Sequence, residues 1–299
     1  MKNWALGIDI GGTKVAVGLI DIHGKIKDRH ELPSKTESSE EMYDSVVRAV
    51  NILQEKTAFD WKEIAGIGMG IPGKVDREKG IAVFQNNIPW HNFPVVNRIK
   101  ETFPVEKIVI DNDVCMAAFS EYKQANLKQN TLFSYITIST GIASSMIDNG
   151  SFIRGAGFAG ELGQMPVTSP YTGEKITLEQ AVSGPAIGKV GQKLYTDELI
   201  STRDVFERYQ AEDSIAIEII EKAAQTLAEG IYLMVTLLDP HYLTIGGSVI
   251  TNNPFFVDLV KKYMDVWLLP DQRHILDNIA ISKYSNLSGL VGAGLLVFD

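Results

Sequence analysis

One aspartate of this chain lies inside an otherwise apolar stretch, where a carboxylate needs a partner. Asp9 is part of residues 4–10 (WALGIDI), and a buried carboxylate costs several kcal/mol unless something compensates its charge. The stretch is followed by Gly11, Gly12, Thr13 and Lys14. Two glycines allow a tight turn whose N–H groups, with the hydroxyl and ammonium groups that follow, suit a nucleotide phosphate. We therefore predict a phosphate site in which Asp9 binds Mg²⁺, directly or through water; a hairpin turn with a solvated lysine is the alternative.

A second glycine turn and a later glycine pair follow other apolar stretches. The tripeptide Ser139-Thr140-Gly141 separates two stretches that read as strands. Its position matches that of the first turn, so we predict a second contact with the same ligand. Gly246-Gly247 ends another apolar stretch, and a glycine pair permits close packing against a flat ring such as adenine. A plain strand-ending turn is the alternative for this pair.

Asp113 lies where a predicted strand (107–110) gives way to a predicted helix (114–123). The N-terminus of a helix offers free N–H groups and a partial positive charge, which hold a carboxylate ionised and aimed. Such a carboxylate can take the proton of a nearby hydroxyl group during phosphoryl transfer. A simple N-cap is the alternative, and for a lone aspartate at a helix start it is the more common role.

Glu161 lies in a glycine-rich run in which the backbone can approach a ligand closely. The glycines are Gly155, Gly157, Gly160 and Gly163. A carboxylate in such a run can accept hydrogen bonds from the hydroxyl groups of a ligand. A surface loop with solvated acids is the alternative.

The elements that must position these residues occur twice in nearly the same order. A coarse unit of three strands, a helix, a strand and a helix occurs in each half beside further elements, and residues 74–105 form an insertion in the first half. The first half contains strands 4–10, 15–21, 26–30, 64–69 and 107–110 and helices 38–56 and 114–123. The second half contains strands 132–139, 143–148, 151–154, 242–245 and 279–284 and helices 214–238, 254–268 and 287–298. Two such halves facing each other make a cleft with one glycine turn on each wall.

Composition excludes several classes of function. The chain has 28 Lys+Arg against 37 Asp+Glu, a net charge of −9, which argues against binding of nucleic acid or of an anionic membrane. No apolar stretch is long enough for a membrane span, and none has the form of a signal peptide. Cys115 is the single cysteine, so an intrachain disulfide is excluded, and we expect a cytoplasmic protein.

Several motifs, taken in order, resemble those of the ROK family of bacterial sugar kinases, within the actin/hexokinase/Hsp70 ATPase superfamily. The first is Gly7-Ile8-Asp9-Ile10-Gly11-Gly12-Thr13-Lys14, which resembles the first phosphate motif of the family. The others are Gly68 to Asp76, Asn87-Ile88-Pro89-Trp90, Asn112-Asp113 with Ala117, Ala118 and Glu121, Gly150 to Met165 (GSFIRGAGFAGELGQM), and Asp239-Pro240 through Gly246-Gly247. The resemblance covers nearly the whole chain.

This resemblance implies an α/β fold of two actin-like (ribonuclease H-like) domains, residues 1–113 plus 286–299 and residues 114–285, with a cleft between them. It implies an ATP- and Mg²⁺-dependent sugar kinase in which Asp113 is the general base for a sugar hydroxyl, commonly the 6-OH. The implied sugar contacts are Asn87 (with Asn86 as the alternative), Asn112, Asp113, Glu161, Gln164 and Glu179, with Asp111 as a further carboxylate. The implied nucleotide contacts are Asp9, Gly11, Gly12, Thr13, Lys14, Thr140, Gly141, Gly246 and Gly247. Trp90 either stacks on the sugar or covers the cleft edge, and members of the family are often homodimers.

The sequence departs from the family at two places. The second phosphate loop usually reads Gly-Thr-Gly-Ile-Gly-Gly-Gly, and here residues 139–145 read STGIASS, which would strain any position that requires positive φ. The family's zinc histidine is replaced by Gln164, and residues 166–178 contain no cysteine, so we predict no zinc site. The altered loop makes a sugar-binding regulatory protein with impaired kinase activity the alternative. Glucose, a β-glucoside, N-acetylmannosamine, fructose and allose all stay open as the sugar, and the missing zinc cluster favours β-glucosides.

Overall fold

A computed structural model describes residues 3–299 of the chain, which divide into two compact units. Unit 1 is the segment up to residue 127 together with Asn286–Asp299, and unit 2 is Lys128–Ser285. The division follows residue 127, whereas the sequence predicted it after residue 113. The reason is that the helix beginning at Asp113 packs against the C-terminal helix and against the strands at residues 64–71 and 108–112, all of which belong to unit 1.

Fifteen strands and eleven α-helices are assigned within the described residues. Up to residue 127 they are β1 (Trp4–Ile10), β2 (Lys14–Asp21), β3 (Ile26–Pro33), α1 (Ser39–Thr57), β4 (Ile64–Ile71), β5 (Lys74–Asp76), β6 (Ile81–Phe84), β7 (His91–Phe93), α2 (Val95–Thr102), β8 (Ile108–Asn112) and α3 (Asp113–Ala125). Unit 2 contains β9 (Leu132–Ile138), β10 (Ile142–Asp148), β11 (Ser151–Ile153), β12 (Pro166–Thr168), β13 (Lys175–Thr177), α4 (Leu178–Val182), α5 (Gly184–Tyr195), α6 (Thr202–Gln210), α7 (Ser214–Leu238), β14 (Tyr242–Gly246), α8 (Ser248–Asn252), α9 (Phe255–Asp265), α10 (His274–Asp277) and β15 (Ile279–Ile281). The last helix, α11 (Ser288–Leu296), returns to unit 1.

Each unit is built on a five-stranded sheet with the same order of strands. The sheet of unit 1 runs β3-β2-β1-β4-β8, and that of unit 2 runs β11-β10-β9-β14-β15. In both, the first three strands are antiparallel, and the last two are parallel to the central one. The shared order confirms the repeat that the sequence predicted.

Helix α1 shows how sequence periodicity builds the core of unit 1. Ser38 caps it by accepting a hydrogen bond from the N–H of Glu41, and Ala58 ends it in the left-handed region. Its apolar residues recur every three or four positions, so they share one face and are buried against the sheet. They are Met42, Val46, Ala49, Val50 and Leu53.

Glycines let helix α11 pack unusually close to its neighbours in unit 1. A Cβ placed on Gly292 would lie 1.7 Å from the backbone oxygen of Met116 in α3. A Cβ on Gly68 of β4 would lie 1.7 Å from the backbone oxygen of Ala293. The helix is therefore wedged between α3 and the sheet, and it brings Gly289 against the Asp9 carboxyl group.

Two regions to which the sequence analysis assigned no helix or strand contain both in the structure. The insertion at residues 74–105 contains a three-stranded sheet, β5-β6-β7, and α2. The segment before α7 contains three helices, α4, α5 and α6. Helix α9 ends at Asp265 and strand β15 at Ile281, each three residues earlier than predicted. Within residues 3–299, the structure contains no helix long and apolar enough to cross a membrane.

Candidate active site

The turn between β1 and β2 has two backbone N–H groups available to a ligand. The N–H of Gly11 is already used, since it donates to the carbonyl of Lys14 at 2.9 Å and closes the hairpin. Within residues 3–299, the N–H groups of Gly12 and Thr13 have no acceptor in the protein. The side chain of Lys14 pairs with Glu31 at 3.2 Å. The predicted phosphate turn is thus a hairpin in which Gly12 and Thr13, rather than all four residues, offer N–H groups.

Gly12 is required by a close approach and not by positive φ. A Cβ at this position would lie 2.7 Å from the backbone oxygen of Asn87. Neither Gly11 nor Gly12 is among the residues with positive φ. The turn therefore lies directly against the loop that carries Asn86 and Asn87, both of which are exposed.

Asp9 is a carboxylate that the protein alone does not neutralise. It keeps some accessible surface, yet enough protein surrounds its carboxyl group that its pKa is raised from 3.8 to about 7, mainly by desolvation. The negative charges of Asp113 and, to a smaller extent, Glu31 contribute to this rise, and the positive charge of Lys14 opposes it. A crowded pair of carboxylates beside a phosphate-type turn is the donor chemistry that a hard divalent cation prefers. The residues present therefore fit Mg²⁺ carried by a nucleotide.

Asp113 is the first residue of α3, and the capping role belongs to its neighbour Asn112. The Asn112 Oδ1 accepts from the N–H groups of Val114 at 2.9 Å and Cys115 at 3.3 Å. Its Nδ2 donates to the carbonyl of Gly73 at 3.0 Å, which ties the end of β8 to the turn after β4. Asp113 is partly exposed, and its Oδ1 accepts from the N–H of Val114 at 2.9 Å. The N-cap alternative for Asp113 is therefore wrong.

Asp111 and Trp90 are both buried in unit 1. Asp111 is 2% exposed and accepts a hydrogen bond at 2.8 Å from the N–H of Asn112. Trp90 is completely buried, stacks on Phe93 with ring centroids 4.7 Å apart, and donates from Nε1 to the carbonyl of Ser39. Both predicted roles for Trp90 are wrong, because its ring forms part of the core.

The second glycine turn, between β9 and β10, holds Glu179. The Oε2 of Glu179 accepts from the N–H of Ile142 at 2.8 Å, and a Cβ on Gly141 would lie 2.5 Å from the same oxygen. The N–H of Ser139 donates to the carbonyl of Gly141 at 2.9 Å and closes the turn, which leaves Thr140 exposed at its tip. Glu179 is thus seated against the turn by a backbone N–H group.

Glu161 lies near Glu179. Desolvation and, after it, the negative charge of Glu179 raise the pKa of Glu161. Gln164 follows in the same loop and is exposed. The two acids and this amide are of the types that bind sugar hydroxyl groups, and their role as sugar contacts stays a prediction.

The four residues that replace the family's glycines in the second loop are not strained. Ala143, Ser144 and Ser145 lie in β10, which pairs regularly with β9, and neither they nor Ser139 has positive φ. The strain expected from the sequence is absent because this part of the loop is extended strand.

Gly246 and Gly247 pack against the protein itself. Gly247 has φ +87°, and a Cβ there would lie 2.2 Å from the backbone oxygen of Ile138. A Cβ on Gly246 would lie 2.6 Å from the hydroxyl of Tyr135. Neither glycine lines the neighbouring cavity, whereas the next residue, Ser248, does.

That cavity has a volume of about 670 Å³ and lies wholly within unit 2. Such a volume is typical of small-molecule sites. Thr140 lies on one side, and Ser248 and Val249 on another. Helix α6 contributes Arg203 and Phe206. They were missed from the sequence because no helix or strand was predicted between residues 154 and 214. The Ser201 cap with Asp204 three residues later was the signal that marks α6.

The segment where the family has its zinc cluster is a β-hairpin here. Strands β12 and β13 pair, and the Ser169 Oγ accepts from the N–H groups of Tyr171 and Thr172 at 3.3 and 3.2 Å. The Lys222 ammonium group lies 4.6 Å from the centroid of the Tyr171 ring. No metal-binding group of three or more His, Cys, Asp or Glu residues occurs in the part of the chain that the structure describes.

The sequence matches one protein family over nearly its whole length. The model of the ROK family covers residues 5–299. The chain belongs to the ROK family. Among its curated relatives, a glucokinase of Halalkalibacterium halodurans is 25% identical over an alignment that covers 98% of this chain and 94% of that protein. A beta-glucoside kinase of Listeria monocytogenes is 28% identical over 95% of this chain and 94% of that protein.

Solved ROK structures share the fold. A ROK family glucokinase from Streptomyces griseus, in complex with glucose and AMPPNP, superposes with a TM-score of 0.81 at 25% identity over 98% of each chain. The chain accordingly has the α/β fold of two actin-like domains, and the predicted fold class is confirmed.

Proposed function

We propose that this chain is an ATP-dependent kinase that phosphorylates a hydroxyl group of a sugar. The family match and the curated sugar kinases support this class of reaction. The observation that carries the mechanism is the placement of Asp113 as the first residue of α3, close enough to Asp9 to raise its pKa. A sugar kinase needs one carboxylate for the acceptor hydroxyl and another for the cation of the nucleotide, and these two meet that need.

Asp113 is the general base. Asn112 caps α3 through its side-chain oxygen, and Asp113 follows it as the partly exposed first residue of the helix. The partial positive charge of the helix start favours its ionised form. In that form it accepts the proton of the attacking sugar hydroxyl, commonly the 6-OH in this family, as the bond to phosphorus forms.

Asp9 holds Mg²⁺ of the bound nucleotide, directly or through water. The cation supplies neutralisation of charge on the transferred phosphoryl group. Gly12 and Thr13 donate their N–H groups to phosphate oxygens, and Thr140 and Gly141 form the second such contact. The cavity beside Thr140 and Ser248 accommodates the nucleoside. Gly246 and Gly247 do not line it, and their close packing against Tyr135 and Ile138 fixes the strand end that precedes Ser248.

We assign the sugar contacts to the acids and amides that the resemblance named. They are Asn87, Asn112, Asp113, Glu161, Gln164 and Glu179. Because relatives include a glucokinase and a beta-glucoside kinase, glucose and β-glucosides come first among the candidates. Cytoplasmic location and a homodimer stay predictions.

A panel of sugars tests the proposal directly. The purified protein is mixed with Mg·ATP and, in turn, glucose, cellobiose, N-acetylmannosamine, fructose and allose, and ADP release is recorded. We expect release that depends on one of these sugars and on Mg²⁺. Binding of a sugar without any ADP release would contradict the kinase and favour the regulatory protein of the same fold.

A further inference from the structure

The backbone oxygen of Gly160 is held by three hydrogen-bond donors. The N–H of Ser144 lies 2.7 Å from it, and the Ser144 Oγ lies 2.8 Å from it. The N–H of Leu162 donates to the same oxygen at 2.7 Å. Two of the three donors therefore come from one residue of strand β10.

This oxygen closes the turn that carries Glu161. The hydrogen bond from Leu162 to Gly160 spans three residues, and Glu161 at its centre has φ −71° and ψ 51°. These are the angles of an inverse γ-turn, a conformation with a single closing hydrogen bond. Whatever fixes the Gly160 oxygen also fixes the direction in which the Glu161 side chain leaves the backbone.

Strand β10 also positions Glu179, and it packs closely against the loop of residues 160–163. A Cβ on Gly160, which has φ +100°, would lie 2.1 Å from the backbone oxygen of Ser144. A Cβ on Gly163 would lie 2.2 Å from the backbone oxygen of Ile142. The N–H of Ile142 is the group that holds Glu179. Neighbouring residues of one strand thus determine where both acids stand.

We propose that Ser144 is a positioning residue that fixes Glu161 for the sugar through the backbone oxygen of Gly160. The alternative acceptor for its hydroxyl, the Met146 sulfur, lies 4.0 Å away and is the weaker partner. A glycine, which the family usually has here, keeps only the backbone donor. The serine that replaces this glycine in the second phosphate loop therefore stabilises the loop that carries Glu161. This inference rests on the proposed role of Glu161 in sugar binding.

The test replaces the hydroxyl alone, with a matched serine as control. Ser144→Ala removes one donor to Gly160. Ser134→Ala, on the adjacent strand β9, removes a buried hydroxyl that has no partner within residues 3–299. Amide hydrogen exchange of residues 155–165 is measured on the intact, ligand-free protein, and KM for the sugar and for ATP is measured with the kinase assay.

For Ser144→Ala we expect faster exchange of the Leu162 amide and a rise in sugar KM of about 3- to 10-fold, the worth of one ordinary hydrogen bond. KM for ATP should stay within about twofold, and Ser134→Ala should match the wild type in every measurement. Unchanged exchange, or equal rises in both KM values, would overturn the positioning role. If the wild-type protein phosphorylates no sugar, the proposed function fails, and the exchange rates with calorimetric sugar affinity decide the role of Ser144 instead.

Discussion

The carboxyl group of Asp9 distinguishes the first phosphate turn from an ordinary hairpin. Asp9 has a pKa raised to about 7 because its surroundings desolvate it and because Asp113 is near. Such a group is costly in the free protein and is relieved when a cation binds. The sequence indicated this desolvation cost, because Asp9 interrupts an otherwise apolar strand.

The raised pKa of Asp9 makes the stability of the free protein depend on pH. An acid whose pKa rises from 3.8 to about 7 on folding binds its proton more tightly in the folded state. The free energy of unfolding therefore falls as pH increases from about 4 to about 7, by about 1 to 4 kcal/mol from this group. Asp9→Asn should abolish that part of the decrease, so the variant is more stable than the wild type at pH 8.

Urea unfolding at pH 5, 6, 7 and 8 without nucleotide or Mg²⁺ measures this dependence. Asp44→Asn, at an exposed position of α1, is the control and should follow the wild type. Parallel pH curves for the wild type and Asp9→Asn would contradict the assigned ionisation.

The residues Asp111, Asn112 and Asp113 show where single-sequence reasoning stops. Three consecutive polar residues stand at one strand-to-helix junction, and each can accept a hydrogen bond from a helix N–H group. Helix boundaries are uncertain by one or two residues in sequence patterns, so the cap could not be assigned. The structure gives it to Asn112 and makes Asp113 the first residue of α3.

Turns and strands could be predicted where glycines or apolar residues form a pattern within a short stretch of sequence. Contacts between residues far apart in the sequence could not be predicted. The hairpin at Gly11-Gly12 and the strands around it follow from local pattern. That Gly12 is needed for its approach to Asn87 could not be seen, because the two are far apart in sequence. Trp90 was assigned to the cleft for the same reason, since its partner Phe93 belongs to a short strand with a weak pattern.

Substitution of Gly247 separates two reasons for a glycine, namely close packing and positive φ. Gly247→Ala should lower the free energy of unfolding of unit 2 by at least about 3 kcal/mol, because a Cβ would meet the Ile138 backbone at 2.2 Å and φ is +87°. Gly173→Ala is the matched control: φ is +73°, and nothing lies within 4 Å of the added atom. It should cost only about 1 kcal/mol, measured by the same denaturant titration. Equal losses in the two variants would show that φ alone matters.

The whole molecule repeats one sheet order and then returns its last helix to the first unit. The repeat was visible in the sequence because both halves place three strands ahead of their helices. Helices α4 to α6 were not visible; α5, for example, contains three glycines among its first eight residues, which weakens the helical signal. The close packing of α11 against β4 and α3 depends on glycines far apart in the chain.

Removal of α11 should unfold unit 1 and spare unit 2. A chain ending at residue 285 would expose the apolar surfaces of β1, β4 and α3 that α11 covers. We expect loss of one unfolding transition in calorimetry, binding of a hydrophobic dye, and no kinase activity. Removal of Asp299 alone, which breaks only an exposed ion pair with Lys123, is the control and should change little. If the 285-residue chain showed the same unfolding transitions, dye binding and activity as the full-length chain, the assignment of α11 to the core of unit 1 would be contradicted.

Turnover of Asp113→Asn is the most direct test of the proposed chemistry. With the best sugar from the panel, kcat should fall by about two orders of magnitude or more, while sugar affinity measured by calorimetry stays within about threefold of the wild type. The asparagine keeps the shape and most hydrogen bonds of the side chain but cannot accept the proton of the hydroxyl. Asp44→Asn should leave both quantities unchanged. A variant that retains wild-type turnover, or loses affinity and turnover equally, would contradict Asp113 as the general base.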